Sequence, residues 1–448
     1  MSLKKILPAG AALAVASLFA VPALAEVSAE TQFVFNTFSF LMMGALVMWM
    51  AAGFAMLESG LVRTKNTASI CLKNIILFAI AVMAYYVIGY SLMYTDVTGW
   101  IGSFSLLYNT SSAEVELLAG SEDPAVLEAV VGNGYSVMSD WFFQVVFVAT
   151  AASIVSGALA ERVGIWPFFT FVVILSAFIY PIQGSWSWGG GWLSEMGFSD
   201  FAGSTLVHSV GGWAALVGAL ILGPRKGKYD AKGRVHPMPG SNLPMATLGT
   251  FILWLGWFGF NGGSQLALGS ALDASAMAIV FTNTLLAACG GVVAAMLLTQ
   301  LLYKKVDLSL TLNGAIGGLV AITAGPDLTN HLLSIFIGGI GGVLVVISVP
   351  LLDKLKIDDV VGAIPAHLAC GIWGTLAVGI FGAGSLLTQT IGIVAVGLFV
   401  SVTSAIAWFG IKFTIGLRVS EEAEELGLDK AELGMEAYPE FGQGSQSF

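Results

Sequence analysis

Charged residues are scarce in this sequence. Only 10% of its 448 residues are Asp, Glu, Lys or Arg, whereas 56% are hydrophobic. Because soluble domains carry about 25% charged residues, a water-soluble globular protein is excluded. The three cysteines lie in separate apolar runs without a CxxC spacing, which excludes a disulfide framework and a zinc site. The 55 glycines fit closely packed membrane helices, so the composition predicts an all-α polytopic membrane protein.

Residues 1–25 have the features of a cleaved secretory signal. Two lysines precede an apolar stretch, and Ala23-Leu24-Ala25 supplies an A-x-A cleavage pattern. An uncleaved extra span is the alternative, but the prolines in this stretch would make a poor spanning helix. We therefore expect residues 1–25 to be removed and the new amino terminus to lie outside the cytoplasm.

Apolar windows of the length that a membrane requires, about 20 residues, predict about eleven transmembrane helices. The windows are 33–60, 68–94, 138–160, 165–183, 203–222, 243–261, 274–302, 310–325, 331–352, 361–382 and 386–416. With the amino terminus outside, every Lys and Arg after residue 25, including Lys73, falls on the inner face. We expect a membrane domain at 26–416, a cytoplasmic tail at 417–448, and a solvated outer loop at 95–137.

Two windows of the sequence resemble each other around a histidine. His208 and His367 are each followed by Gly four residues later, by Trp after five or six residues, and by Gly after fifteen. The histidines lie 159 residues apart, which is five predicted spans, so their helices run in opposite directions. This indicates an inverted repeat of five plus five helices with one additional peripheral helix, a design whose functional site lies near the bilayer midplane.

The same two histidines are candidate functional residues because ionisable side chains inside membrane helices are rare. A single histidine there is more often a satisfied core residue, but two at matched positions of a repeat favour function. Imidazole can donate and accept a hydrogen bond, so the pair could share one proton and line a narrow path. A metal site would need a third or fourth ligand, and no Cys, Asp or Glu is spaced to provide one.

Several motifs resemble the ammonium transporter (Amt/Mep/Rh) family, in particular its bacterial-type Amt branch, over nearly the whole mature chain. The matching segments are DFAGSTLVH at 200–208, WGGGW at 188–192, GALAER at 157–162, WFGFNGGS at 257–264, DDVVG at 358–362 before His367, and the tail motif at 427–438. The resemblance implies that ammonium is recruited at an outer vestibule, loses its proton, and crosses as ammonia through an apolar pore.

The resemblance also assigns residues to the outer end of that pore. Phe147, Trp188 and Ser264 correspond to the recruitment site, where aromatic faces attract a cation and a hydroxyl accepts a hydrogen bond from ammonium. Phe147 and Phe260 correspond to a stacked pair that closes the pore mouth. Without the motifs, Trp188 would be taken for an interfacial belt residue, Ser264 for a turn residue and the two phenylalanines for ordinary core aromatics.

The resemblance also implies that His208 and His367 line the pore at a deeper level. We expect them to relay the released proton, so that transport is electrogenic. Asp200 is interpreted as a helix N-cap and a field-setting anion, not as a direct ligand. A pore that passes only neutral ammonia rejects potassium without a fitted cage, because potassium has no proton to lose and a buried ion is costly.

The family further implies a homotrimer with one pore per subunit, a bacterial inner-membrane location, and a PII-type signalling protein as a possible partner of the tail. Neither a cofactor nor a nucleic-acid partner is expected. Three departures affect details: the long segment 95–137, the spacing from Gly362 to His367, and Leu368 after the histidine.

Four other functions fit the sequence less well. An ammonium sensor would be expected to carry an appended signalling domain, and the tail is too short for one. An Rh-like ammonia gas channel fits the vestibule and tail motifs less well. An intramembrane enzyme would need a nucleophile beside a base, for which Cys370 near His367 is the only candidate. An ion-coupled carrier would be expected to bury more carboxylates along its path.

Overall fold

The computed structural model describes residues 27–441, and within this range it is helical with only isolated β-bridges. Within residues 27–441, ten helices are long and apolar enough to cross a membrane. They are α1 (Ala29–Leu61), α2 (Thr64–Tyr94), α3 (Val137–Ala158), α4 (Ile165–Ser185), α5 (Ser204–Leu222), α6 (Leu243–Gly263), α7 (Ala271–Tyr303), α9 (His331–Lys354), α10 (Ile364–Phe381) and α11 (Leu386–Thr414). Helix α8 (Leu308–Ile322) is apolar but shorter, with 15 residues.

The helices coincide with the apolar windows of the sequence, so the predicted all-α membrane fold is confirmed. The count of eleven spans stays a prediction, since α8 is shorter than the other ten helices. The inverted repeat and the boundaries at 26–416 and 417–448 stay predictions too. The proposed signal at 1–25 lies outside the described residues.

Glycines allow the helices to approach closely where α7, α8 and α9 pack together. A side chain on Gly291 of α7 would begin 2.2 Å from the carbonyl oxygen of Gly314 in α8. A side chain on Gly342 of α9 would begin 2.2 Å from the carbonyl oxygen of Gly291. No other residue fits these contacts, which explains part of the high glycine content.

The charged tail packs against one face of the bundle, which we call the tail face. The Asp429 carboxylate accepts hydrogen bonds from the backbone N–H groups of Ala68 (2.9 Å) and Ser69 (2.7 Å) in the first turn of α2. Glu432 accepts one from the N–H of Ile165 at the start of α4, at 3.1 Å. Acidic groups at helix amino termini satisfy free N–H groups and favour the helix dipole, so they fasten the tail to the bundle.

Ion pairs connect several loops on the tail face, beside the docked tail. The guanidinium of Arg225 donates to both oxygens of Asp358, at 2.8 and 2.9 Å, and lies 3.4 Å from the Glu161 carboxylate, which also pairs with Arg63. Burial alone would raise the pKa of Asp358, but the hydrogen bonds from Arg225 hold it well below its usual range. These buried partners fix the loops that join α1 to α2, α3 to α4, and α9 to α10.

The structure adds detail to two expectations about individual segments. Lys73, which the sequence places on the inner face, lies within α2 and is buried, with 1% of its surface exposed. The segment 95–137, predicted as a solvated loop, contains helices at Ser112–Leu118 and Pro124–Val131. Glu114 is buried there and accepts a hydrogen bond from the N–H of Val137 at 3.1 Å, which ties the segment to α3.

Candidate functional site

The two intramembrane histidines meet at the centre of the bundle. The Nδ1 atoms of His208 and His367 are 3.2 Å apart, and their ring centroids are separated by 5.2 Å. Both side chains are buried. In a hydrogen bond between two neutral imidazoles one Nδ1 donates and the other accepts, so this contact can hold one proton between the rings. Within residues 27–441, no group of three or more His, Cys, Asp or Glu is arranged to hold a metal ion.

Each histidine lies in a wide π-type turn that begins its helix. His208 belongs to the turn Ser204–Ser209, and His367 belongs to the turn Ile364–Ala369. A π turn widens the helix by one residue and is often found at functional sites. The two wide turns therefore re-aim the histidines from two helices that are distant in sequence toward one point.

Aspartates hold both turns, Asp200 buried and Asp359 partly buried. The Asp200 carboxylate accepts hydrogen bonds from four successive backbone N–H groups, those of residues 203–206, at 2.8–3.0 Å. The Asp359 carboxylate accepts from the N–H groups of Gly362 (3.0 Å) and Ile364 (2.7 Å). Asp200 thus has the contacts that an N-cap requires, and Asp359 has the equivalent contacts in the second turn.

Sequence reasoning identified Asp200 but missed Asp359 as its counterpart. The missed signal is the pattern Asp-x-x-Gly followed by His five residues after the glycine, which occurs at 200–208 and again at 359–367. Both glycines adopt left-handed backbone, with φ of +107° at Gly203 and +79° at Gly362. Glycine adopts such angles without steric cost, which is why it occupies this position in both turns.

A line of aromatic rings joins the histidine pair to the face opposite the tail. The rings of Phe147 and Phe260 are 4.1 Å apart, and Phe260 packs on His208 at 5.1 Å. On its other side, Phe147 meets Trp188 edge to face at 6.1 Å. Trp257 also stacks on His208, at 4.9 Å. The histidines are therefore reached from this side past a series of aromatic rings.

A cavity of about 350 Å³ lies above the phenylalanine pair. Phe147, Trp188 and Ser264 all line it, so the three residues assigned to recruitment share one site. The Ser264 hydroxyl donates to the carbonyl of Phe260 at 2.8 Å, which leaves its oxygen lone pairs able to accept. Trp188 is oriented by a hydrogen bond from its Nε1 to the Asp200 carbonyl at 2.9 Å.

The same cavity contains an acidic group that sequence reasoning missed. Asp140 lines it and accepts hydrogen bonds from the hydroxyl of Tyr90 and from Nε2 of Gln144, the latter at 3.0 Å. The available signal was the placement of Asp140, Gln144 and Phe147 at i, i+4 and i+7 of an otherwise apolar helix. A carboxylate at this place gives the aromatic cavity a preference for cations.

A second cavity, of about 290 Å³, opens on the tail face below the histidine pair. Leu61 of α1 lines it together with Val361, Gly362 and Pro365, which surround the start of the turn that carries His367. The two cavities thus lie at opposite ends of the segment formed by the phenylalanine pair and the histidine pair.

Comparison with known proteins agrees with this arrangement. The model of the Ammonium Transporter Family matches residues 38–438. Ammonium transporter Amt2 of Archaeoglobus fulgidus is 43% identical over 437 residues, covering 90% of this chain and 87% of the relative. Ammonium transporter Amt1 of Methanocaldococcus jannaschii is 34% identical over 415 residues, covering 90% and 97%. A solved structure described as a Sensor Amt Protein superposes with a TM-score of 0.81 at 35% identity, covering 90% of this chain and 98% of that one. The chain belongs to the Ammonium Transporter Family.

Proposed function

We propose that this chain binds ammonium in the cavity above Phe147, removes its proton, and conducts ammonia past His208 and His367. The observation that carries the proposal is the contact between the two histidines, 3.2 Å apart at Nδ1, behind a closed pair of phenylalanine rings. The arrangement offers a binding place for a cation on one side of the phenylalanine pair and a proton site on the other.

Binding in the cavity follows from the chemistry of its lining. Trp188 and Phe147 offer aromatic faces, and a desolvated cation on such a face gains up to about 2 kcal/mol. The Ser264 oxygen can accept a hydrogen bond from ammonium, and the Asp140 carboxylate supplies a compensating negative charge. Potassium is also attracted here, so the recruitment site by itself does not explain selectivity.

Selectivity arises at the next step. The closely packed rings of Phe147 and Phe260 and the apolar surroundings of the histidines oppose the passage of a charged species. Ammonium can leave its proton behind and continue as neutral ammonia, whereas potassium remains an ion. The histidine pair takes part in moving the proton, so that one positive charge crosses for each ammonia.

The proposal is tested in proteoliposomes by measuring ammonium-driven currents and uptake side by side, with potassium as competitor. His208→Ala and His367→Ala should each abolish the current, while His236→Ala, which changes an exposed histidine, should leave it unchanged. Potassium current through the wild-type protein would refute the proposal. Uptake with no charge movement would favour an Rh-like gas channel instead.

The location and partners are proposed on the resemblance. We place the chain in a bacterial inner membrane with its tail on the cytoplasmic side. The lysines and arginines on the tail face support this orientation. We further propose removal of residues 1–25, a homotrimer with one pore per subunit, and a PII-type protein as partner of residues 417–448. Mass measurement in detergent tests the trimer, and binding of a PII-type protein before and after removal of the tail tests the partner.

A further inference from the structure

The structure buries a second pair of charged groups that the proposed path does not use. Glu58 of α1 and Lys73 of α2 are 2% and 1% exposed. Glu58 Oε2 accepts hydrogen bonds from Ser156 Oγ and from Asn74 Nδ2, both at 2.9 Å. Lys73 Nζ donates to the carbonyl of the same Ser156 at 3.3 Å and lies 4.4 Å from the centroid of the Phe168 ring. The Glu58 carboxylate and the Lys73 ammonium group therefore both contact Ser156 inside the membrane domain.

Glu58 lies between the histidine pair and the cavity on the tail face. Phe54, one turn earlier on α1, packs against His367 with a centroid distance of 6.3 Å. Four helical residues advance the chain by about 6 Å on the same face, which places Glu58 just below that contact. Leu61, three residues further along α1, already lines the cavity.

The free oxygen of Glu58 also faces this route. A side chain on Gly157 would begin 3.2 Å from Glu58 Oε1 and 2.4 Å from Val361 Cγ2. Val361 lines the tail-face cavity and begins the segment that leads to His367. Oε2 is thus held by Ser156 and Asn74, while Oε1 lies on the side of Gly157, next to which Val361 also packs at the inner end of the proposed path.

We propose that Glu58 receives the proton from the histidine pair and passes it to water in the tail-face cavity. The histidine pair takes up the proton that ammonium from the outer cavity loses, and it becomes neutral again when the other imidazole gives a proton to the Glu58 carboxylate. Glu58 then releases it to the tail side, where ammonia takes up a proton again. This inference rests on the proposed function, and it adds the group that completes the proton route.

Lys73 fits the role of a positioning residue in this scheme. An isolated buried carboxylate would hold its proton permanently, whereas a nearby ammonium group keeps the charged form accessible. The other charges that act on Lys73 are Arg162 and Glu432, both of which lie toward the tail face. A purely structural ion pair would be expected to affect folding, but it would not set the charge moved per transported molecule.

The test measures the charge moved per transported molecule in proteoliposomes, using ammonium-driven current and labelled ammonium uptake on the same preparation. Glu58→Gln keeps the size of the side chain and its contacts with Ser156, but it cannot carry the proton. We expect the ammonium-driven current to fall roughly 100-fold, the lower end of what a single acid–base group contributes to a rate, and uptake to fall less, so that the charge per molecule drops. Glu58→Asp should recover part of it, and Glu114→Gln, a buried carboxylate on the opposite face, should match the wild type.

Glu58→Gln removes the negative charge near Lys73 and leaves the lysine charge in place. The double variant with Lys73→Gln therefore provides a second protein in which neither charge remains. A wild-type charge ratio in either variant, with a normal wild-type current, would overturn the role of Glu58 and leave the proposed function intact. Absence of charge movement in the wild-type protein itself would instead overturn the electrogenic function, and the role of Glu58 with it.

Discussion

Replacing the two turn-holding aspartates by asparagine should have unequal effects on stability. In Asp200, each carboxylate oxygen accepts two backbone N–H groups: Oδ1 from residues 203 and 204, and Oδ2 from residues 205 and 206. In Asp359, Oδ1 accepts from Gly362 at 3.0 Å and Oδ2 from Ile364 at 2.7 Å. Asparagine keeps one accepting oxygen and turns the other position into a donor, so Asp200→Asn loses two hydrogen bonds and Asp359→Asn loses one.

The expected loss of stability follows from the number of hydrogen bonds lost. A hydrogen bond to a charged group contributes about 1.5–3 kcal/mol, so the free energy of unfolding should fall by about 3–6 kcal/mol for Asp200→Asn. For Asp359→Asn the fall should be about 1.5–3 kcal/mol. Because both turns carry a histidine of the central pair, both variants should also lose ammonium-driven current.

The assay is equilibrium unfolding in mixed micelles of increasing SDS fraction, followed by circular dichroism. Asp327→Asn is the matched control, because Asp327 is exposed and should tolerate the change without loss of stability. Equal destabilisation by the two turn variants, or a larger loss for Asp359→Asn, would refute the reasoning that the bonded N–H groups set the stability of the turns.

Three further predictions concern other parts of the protein. Asp140→Asn should raise the KM for ammonium by about tenfold, equivalent to about 1.4 kcal/mol, because the outer cavity loses its carboxylate. Asp358→Asn should lower the free energy of unfolding by about 3–5 kcal/mol, since it leaves Arg225 buried without its main partner. Gly203→Ala should lower the free energy of unfolding and the current, because φ is +107° and the new Cβ would begin 2.4 Å from Val207. Gly410→Ala is its control, as a Cβ there meets nothing within 4 Å.

Each of these predictions has a distinct measurement. Concentration-dependent currents report the KM, and an unchanged value in Asp140→Asn would exclude its carboxylate from recruitment. For Asp358, the depressed pKa means that its stabilising contribution is present above the ordinary value of 3.8 and is lost as the pH falls toward the folded-state pKa. Acid unfolding curves of the wild type and Asp358→Asn should therefore converge at low pH. Gly203→Ala with wild-type stability and current would contradict the steric argument.

The membrane helices could be predicted well from the sequence because their main determinant is local. Windows 138–160 and 203–222 match Val137–Ala158 and Ser204–Leu222 within one or two residues. In a bilayer the backbone must satisfy its own hydrogen bonds, so an apolar run of sufficient length has few alternatives to a helix. The 15-residue helix Leu308–Ile322 shows the limit of the method, since its length alone does not determine whether it crosses.

The position of Lys73 could not be predicted in this way. Counting basic residues on one face assumes that each lies outside the hydrocarbon, and Lys73 is instead buried within α2 near Glu58. Both charges are visible in the sequence, but their proximity depends on how α1, α2 and α3 pack. Asp140 is a similar case, because its role depends on Tyr90 from α2 lying across from it.

By itself, the sequence determined the membrane helices, their apolar character, and the presence of histidines in two related motifs, because hydrophobic length and residue spacing are properties of a continuous chain. Only the tertiary structure decided that the Nδ1 atoms of His208 and His367 lie 3.2 Å apart and that Glu58 lies beneath them. Contacts between residues 159 positions apart depend on helix packing and on the two widened turns, which are fixed by long-range contacts and cannot be deduced from local pattern.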